Sequence, residues 1–260
     1  MKSLITALIL TAISSTALHA ALIASDNAGD STYNDGWTSA DNGGSGFGAW
    51  SFTSSGGGSR GNYVGSSSVN GNGSSGNIDT SGRSFGLFAA PFNNISAIRG
   101  FSLGSLGAGQ EFIVSLDNGF INSGASVGFM LQKSDGTTLF KFFFTGGQSF
   151  YQFDAPGGSG SGNTSVGFTT DGLVVDFRLG SSSAFSLSVN GNSQGSGTLD
   201  AGSISRVEFF NVGAGNGSGS DFFFNSIQVV PEPTNMALGV FGGLAICFVG
   251  FRRILSRLPV

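Results

Sequence analysis

Gly57-Gly58-Ser59-Arg60-Gly61 has the G-x-S-x-G spacing that sets a serine nucleophile on a sharp strand-to-helix turn. Such a serine stays inert until a neighbouring base, usually histidine, takes its proton. The sequence has one histidine, His19, and one cysteine, Cys247, and both lie in terminal apolar segments. Residues 21–230 therefore offer no histidine base, thiolate or imidazole zinc ligand, and the motif reads as chance in a Gly/Ser-rich stretch. Carboxylates remain. Glycoside hydrolysis needs two of them about 5 to 10 Å apart and no histidine. Glu111 and Glu208 are the glutamates of this region, and the paired-acid strand pattern Glu-x-Asp-x-x-Glu occurs nowhere. The chain is not expected to be an enzyme, with glycoside hydrolase as the second alternative to the reading given below.

Two binding chemistries are open. Calcium needs only oxygen ligands, and Asp26, Asp30, Asp221 and Asn225 lie near the two ends of the region. Asp26 and Asp221 could share a structural calcium ion, or be solvated turn carboxylates; no other cofactor is expected. Sugars are held by flat aromatic faces beside hydrogen-bonding groups, and Tyr33, Trp37, Trp50, Tyr63 and Tyr151 are the candidate glycan contacts, with core packing as the competing reading. Nucleic acid is excluded as a partner. Between Ala21 and Val230 seven basic residues face fourteen acidic ones, a net of −7, and the basic residues are scattered rather than clustered as a phosphate backbone requires.

The elements that must position these groups are strands. Charged residues make up only 10% of the chain and phenylalanine alone fills 26 positions, a composition that favours sheet. From Ser84 onward the apolar period is two: Phe112, Val114 and Leu116 share one face, as do Val127, Phe129 and Leu131, then Leu173, Val175, Phe177 and Leu179, then Phe185, Leu187 and Val189. Further strands are expected at 97–103, 138–144, 149–153, 166–169, 203–211 and 221–229. Asp117-Asn118-Gly119, Ser134-Asp135-Gly136, Asp171-Gly172 and Asn190-Gly191 read as tight turns. Residues 41–82 carry thirteen Gly, eleven Ser and five Asn, which predicts loops around one ordered island at Phe47–Phe52. Eleven or twelve short strands without a long amphipathic helix predict an all-β, antiparallel, jelly-roll-like β-sandwich over residues 21–230. No internal disulfide can form from one cysteine, so packing must hold it together. Ser123–Phe129, Thr170–Leu173 and Asp221–Ile227 resemble segments of concanavalin- or laminin-G-like domains.

Both ends carry membrane signals. Residues 1–20 read as a secretory signal peptide, with Lys2, an apolar run from Leu4 to Ile13, and small residues before a cut near Ala20. At the other end Pro231-Glu232-Pro233 interrupts the chain and exposes backbone for a processing enzyme. Sixteen uncharged residues, 236–251, follow and are expected to form a transmembrane helix of about 24 Å at about 1.5 Å per residue. Arg252, Arg253 and Arg257 form a basic anchor that stays cytoplasmic and leaves the sheet region outside.

This order over 231–260 resembles the PEP-CTERM sorting domain, although Ile254–Val260 extends past that family's usual end. The resemblance implies an exosortase-type membrane protease as partner, loss of Cys247 with the tail, and delivery to the envelope or to exopolysaccharide. The expectation is an exported cell-surface or extracellular-matrix protein of structural role, single-pass in the membrane before processing. Its first alternative is a lectin-like carbohydrate-binding module whose partner is exopolysaccharide or another glycan. Intact mass of the protein recovered from its cells is expected to show both terminal segments removed; the full 26.3 kDa chain in the cytosol would contradict this.

Overall fold

The computed structural model describes residues 23–102 and 104–231. The signal segment, Glu232, Pro233, the 236–251 segment and the three arginines of the anchor lie outside the described residues. Among the described residues no helix is long and apolar enough to cross a membrane.

Among the described residues fifteen strands form two antiparallel sheets. The first runs β13 (Asn192–Thr198), β12 (Ala184–Val189), β11 (Leu173–Leu179), β6 (Glu111–Asn118), β15 (Phe222–Val230), β4 (Ser84–Ala89), β3 (Arg60–Gly65), and β1 (Ala24–Asp26) pairs with the far half of β15. The second runs β10 (Gly162–Gly167), β9 (Phe150–Asp154), β8 (Thr138–Thr145), β7 (Ser126–Gln132), β14 (Arg206–Val212), β5 (Asn94–Gly100), β2 (Ser51–Ser55). Alternation decides which face of each strand is buried: the apolar sets on β6, β7, β11 and β12 point into the sandwich, apart from half-buried Leu179, and Val174, Asp176 and Arg178 point out. Rings close the gap between the sheets. Phe209 of β14 stacks on Phe224 of β15 with centroids 3.7 Å apart, and Phe140 of β8 meets Phe177 of β11 at 4.6 Å. Aromatic pairs of this kind contribute about 0.5 to 1.5 kcal/mol each beyond the area they bury.

The sheet departs from the sequence-based expectation in three places. Residues 41–82 are not all loop: they contain β2 and β3, and β1, β4 and β13 are further additions. The small residues of β3 have a packing reason, because a Cβ on Gly61 would lie 2.9 Å from the ring of Phe88. The 166–169 and 47–52 strands fall instead at β10 and β2. Asp117-Asn118-Gly119 is not a tight turn: Asp117 and Asn118 continue β6 opposite Phe223 and Phe222. Asn190-Gly191 does turn as expected, with φ of 51° and 74°, the positive pair that a two-residue hairpin requires.

One charged group sits at the centre of the N-terminal packing. The Arg99 guanidinium on β5 donates to Asp26 on β1, to Gly48 O at 2.5 Å, to Asn42 Oδ1 at 2.8 Å and to Gly43 O at 2.6 Å. Tyr33 Oη donates to Asp26 at 2.6 Å and accepts from Trp50 Nε1 at 3.0 Å. Both charged side chains are fully buried. Burial raises the Asp26 carboxyl above its ordinary range, and the Arg99 charge, the Tyr33 hydroxyl and the Asn27 N–H pull it back. Removing one partner strands the other charge, so Arg99→Ala is expected to lower unfolding free energy by about 3 to 5 kcal/mol in denaturant titration. A loss below about 0.5 kcal/mol would contradict the role given to the pair.

Candidate functional site at the loop pole

Strand direction sorts the connections into two poles. Residues 56–59, 90–93, 119–125, 146–149, 168–172, 190–191 and 213–221 turn at one pole, since β2, β4, β6, β8, β10, β12 and β14 all end there. The described chain ends leave from the other: Ile23 N donates to Val229 O at 2.9 Å, beside the end of β15.

The loop pole carries the exposed rings. Phe92 is 99% exposed and Phe120 65%, with Phe150 and Phe168 at 42% and 43%. Phe92 also holds a φ of +66°, which a bulky side chain rarely adopts. Asn93 fixes that turn: its N–H donates to Ala90 O at 3.1 Å, its Nδ2 to Pro91 O at 2.9 Å, and its Oδ1 accepts from Gly58 N at 2.6 Å. The fold thus stabilises a backbone conformation whose effect is to hold a phenyl ring in water. Strain held at an exposed aromatic points to a use for that aromatic.

Beside this turn lies a cavity of about 200 Å³ lined by Ser59, Phe88, Ala90, Asn216, Ser218 and Asp221. The 213–221 loop frames it and is pinned by Gly213 N to Asn93 O at 2.9 Å, Gly215 N to Ala89 O at 3.2 Å and Asn122 N to Ala214 O at 2.8 Å. Tyr63 Oη donates to Asp221 Oδ2 at 2.6 Å, and among the described residues the other carboxylate oxygen has no hydrogen-bond partner. Burial pushes the Asp221 carboxyl up to about 6, and the Tyr63 hydrogen bond draws it down. Burial, then the Asp221 bond and charge, raise the Tyr63 phenol, so it remains a donor at neutral pH. Gly86, opposite Tyr63 on β4, leaves room for its ring: a Cβ there would be 2.8 Å from it. One half-free carboxylate, an amide, two hydroxyls and a ring edge are the functional groups that a polyol engages.

A second acid lies on the same outer face. Asp117 is buried under residues 66–83, where Asn70 Nδ2 and Asn72 Nδ2 donate to it, the latter at 2.6 Å. Burial pushes its carboxyl up to about 7, with Asn70, Ser67 and Asn72 opposing. Burial and then Glu111 push Asp176 up to about 6.

The sequence-based candidates fall differently from expectation. Tyr33, Trp37, Trp50 and Tyr151 are 1%, 4%, 1% and 3% exposed, so they are core residues and not glycan contacts. Trp37 and Trp50 pack edge-to-face at 5.1 Å, and Tyr151 Oη donates to Asn118 Oδ1 at 2.7 Å inside the sandwich. Tyr63 alone reaches the site, and it does so through Asp221. Asp26 pairs opposite Ile227, six residues along β15 from Asp221, so on the order of 20 Å of extended chain separates the two acids and no ion can bridge them. Asp30 caps its own turn through Thr32 N, and Asn225 accepts from Ala28 N and donates to Ile78 O. Among the described residues no three His, Cys, Asp or Glu side chains gather where a metal could sit.

Ser59 lines the cavity on a strand-to-strand connection, not the strand-to-helix turn a nucleophile elbow needs. Glu111 and Glu208 lie on different sheets, each next to an inward-facing phenylalanine, and so point out from opposite faces of the sandwich. They cannot flank one glycosidic bond. Phe92 and Phe120 were not singled out by sequence reasoning; the signal was an aromatic set directly among turn residues, Pro91-Phe92-Asn93 and Asn118-Gly119-Phe120.

No protein-family model and no curated protein matches the chain. Solved structures with a similar fold include a sialidase, at 14% identity and a TM-score of 0.46 over 65% of this chain and 18% of that one. The Trypanosoma cruzi (T. cruzi) calreticulin globular domain has 9% identity and a TM-score of 0.43 over 67% of this chain and 84% of its own. A Caenorhabditis elegans galectin has 14% identity and a TM-score of 0.35 over 48% of this chain and 85% of its own. The likeness is one of fold.

Three of the raised carboxyls, those of Asp117, Asp176 and Asp221, make a pH prediction. Each binds its proton more tightly folded than unfolded, so its contribution is complete below the ordinary value of 3.8 and is lost as pH rises through about 6 to 7. The melting temperature is expected to fall between pH 5 and pH 8, and Asp117→Asn to flatten that slope; a rise over the interval would contradict the burial of these acids.

Proposed function

We propose that the chain is an exported carbohydrate-binding module that presents its loop pole to glycans. The observation that carries this reading is Phe92, held fully exposed in a strained turn next to a polar cavity. Apart from Arg60 and Asp171 the pole loops bear no exposed or half-buried charge, and Ser, Asn, Gly and Phe dominate them. Such a surface suits uncharged sugar rings, whose apolar faces lie on aromatics while hydroxyls take amide, hydroxyl and carboxylate partners. A purely structural matrix role gives no reason for the strained ring, and for that reason the lectin-like reading is preferred to it.

Export and sorting belong to the same proposal and rest on the sequence: the signal segment, Pro231-Glu232-Pro233, the apolar run and Arg252, Arg253 and Arg257. An exosortase-type enzyme would process the tail, and cell surface or extracellular matrix would be the destination.

Binding of the full chain to an array of neutral glycans tests the site. Phe92→Ser removes a ring that supports no packing, so it is expected to leave the melting temperature within a degree or two while weakening binding roughly tenfold, the equivalent of about 1.4 kcal/mol. Asp221→Asn is expected to weaken it by a similar factor. Unchanged affinity in both variants, or no bound glycan, would remove the proposal.

A further inference from the structure

The outer face of the second sheet carries a different arrangement. Register aligns Thr53, Ser96, Phe210, Gly128, Phe143, Gln152 and Asn163 in one row across seven strands, a span of about 29 Å at about 4.8 Å per strand. At the centre of the row there is no side chain. Gly128 has a φ of +156°, and a Cβ there would lie 2.1 Å from Phe142 O, so only glycine fits.

Lys141 fills that gap from the neighbouring row. Its Nζ lies 4.2 Å from the Phe143 ring centroid and 4.7 Å from that of Phe210, the two rings that flank Gly128. Among the described residues it is the one basic side chain with neither a hydrogen bond nor an ion pair. Arg60, Arg83, Arg99 and Arg206 donate to oxygens, and Lys133 and Arg178 pair with Asp200 and Glu111. The acids nearest it are engaged elsewhere. Asp154, its cross-strand neighbour, accepts from Ser161 Oγ at 2.5 Å, and Glu208 accepts from Gln132 Nε2 at 2.9 Å. Burial lowers the Lys141 amine below its ordinary value and Asp154 opposes this, in keeping with a cation short of water. Two rings therefore aim an ammonium with three unused N–H donors at the middle of a hydroxyl- and amide-lined row.

We propose that this row is a second glycan site, in which Lys141 takes the carboxylate of a uronic acid residue in an acidic polysaccharide. The flanking groups Thr53, Ser96, Gln152 and Asn163 supply partners for hydroxyls on either side. The charge pattern selects the polymer. Asp154 and Glu208 on the same face, and the net −7 of residues 21–230, repel a densely charged chain, whereas one isolated carboxylate per stretch of neutral sugars meets one ammonium. The site uses none of the loop-pole residues, so it stands or falls apart from the reading given for them.

The probe is gellan, whose glucuronate residues are spaced along a neutral chain, compared with carboxyl-reduced gellan. The full chain is expected to bind native gellan at least about tenfold more tightly than the reduced polymer, as one charge-assisted contact allows, with the preference shrinking as salt rises. Lys141→Gln should abolish the preference, while Phe92→Ser should leave it intact. Equal affinity for the two polymers, or a preference that survives Lys141→Gln, would overturn the proposal. The unaltered protein gives an independent readout. Bound gellan should shield Lys141, and not Lys133, from acetylation by an N-hydroxysuccinimide ester, followed by mass spectrometry of the peptides. Equal acetylation of Lys141 with and without gellan would also overturn it.

Discussion

The buried ion pair between Arg99 and Asp26 is the constraint on which the N-terminal half depends. Without disulfides, and with Gly and Ser filling residues 41–82, that half relies on a few large rings, Tyr33, Trp37, Phe47 and Trp50, to hold it down. The guanidinium compensates by collecting carbonyls and a carboxylate from three separate stretches of chain: β1, residues 42–43 and Gly48. Its flat faces lie 5.2 Å and 5.0 Å from Phe47 and Trp50, so the charge is covered by rings as well as paired. Trp50 is thereby fixed against Phe85 and Phe224, and the N-terminal segment becomes part of the core it covers.

Once that corner is closed, the antiparallel ladders fix the rest. Seven strands must end at one pole, and the two described ends must leave at the other. The polar groups then divide by depth. Asn211 and Asn225 clip loops to strands through backbone atoms, Nδ2 of Asn211 reaching Leu87 O at 2.9 Å. Acids that remain near the surface of the first sheet, Asp117 and Asp221, keep hydrogen-bond donors but lose water, which is why their protons are held more tightly than in a free carboxyl. A half-buried carboxylate of that kind is a hydrogen-bonding group for a ligand more than a strong charge.

The β6, β7, β11 and β12 strands were legible because each has one wet face and one dry face, and the alternation of Phe112–Leu116 or Phe185–Val189 records that difference directly. β13 was not legible, since an edge strand of Asn, Ser, Gln, Gly and Thr has no apolar face to reveal, and β3 was not because Tyr63 and Val64 are adjacent rather than alternating and its glycines read as loop, although Gly61 is there to admit the Phe88 ring rather than to turn the chain. Asp117-Asn118 looked like a turn because its side chains suit one; long-range amide partners and Tyr151 instead keep both residues extended and buried. Aromatic type carried no information about side. Trp37 and Trp50 lie in a loop-rich stretch yet are buried by Arg99 and the phenylalanines, while Phe92 owes its exposure to the backbone of a four-residue turn. Lys141 was invisible as a site, because its meaning comes from the register that sets it above Gly128 between two rings.

Everything functional proposed for the loop pole requires that ligands meet the exposed phenylalanines and the Asp221 cavity, away from the chain ends. Hydrogen–deuterium exchange of the full chain, with and without the neutral glycan that an array selects, measures this directly. Slower exchange should be confined to residues 90–93, 119–121 and 213–221, with the opposite loops at 133–137, 155–161 and 180–183 unchanged. Slowing confined to those opposite loops would place the ligand at the wrong pole and contradict the site.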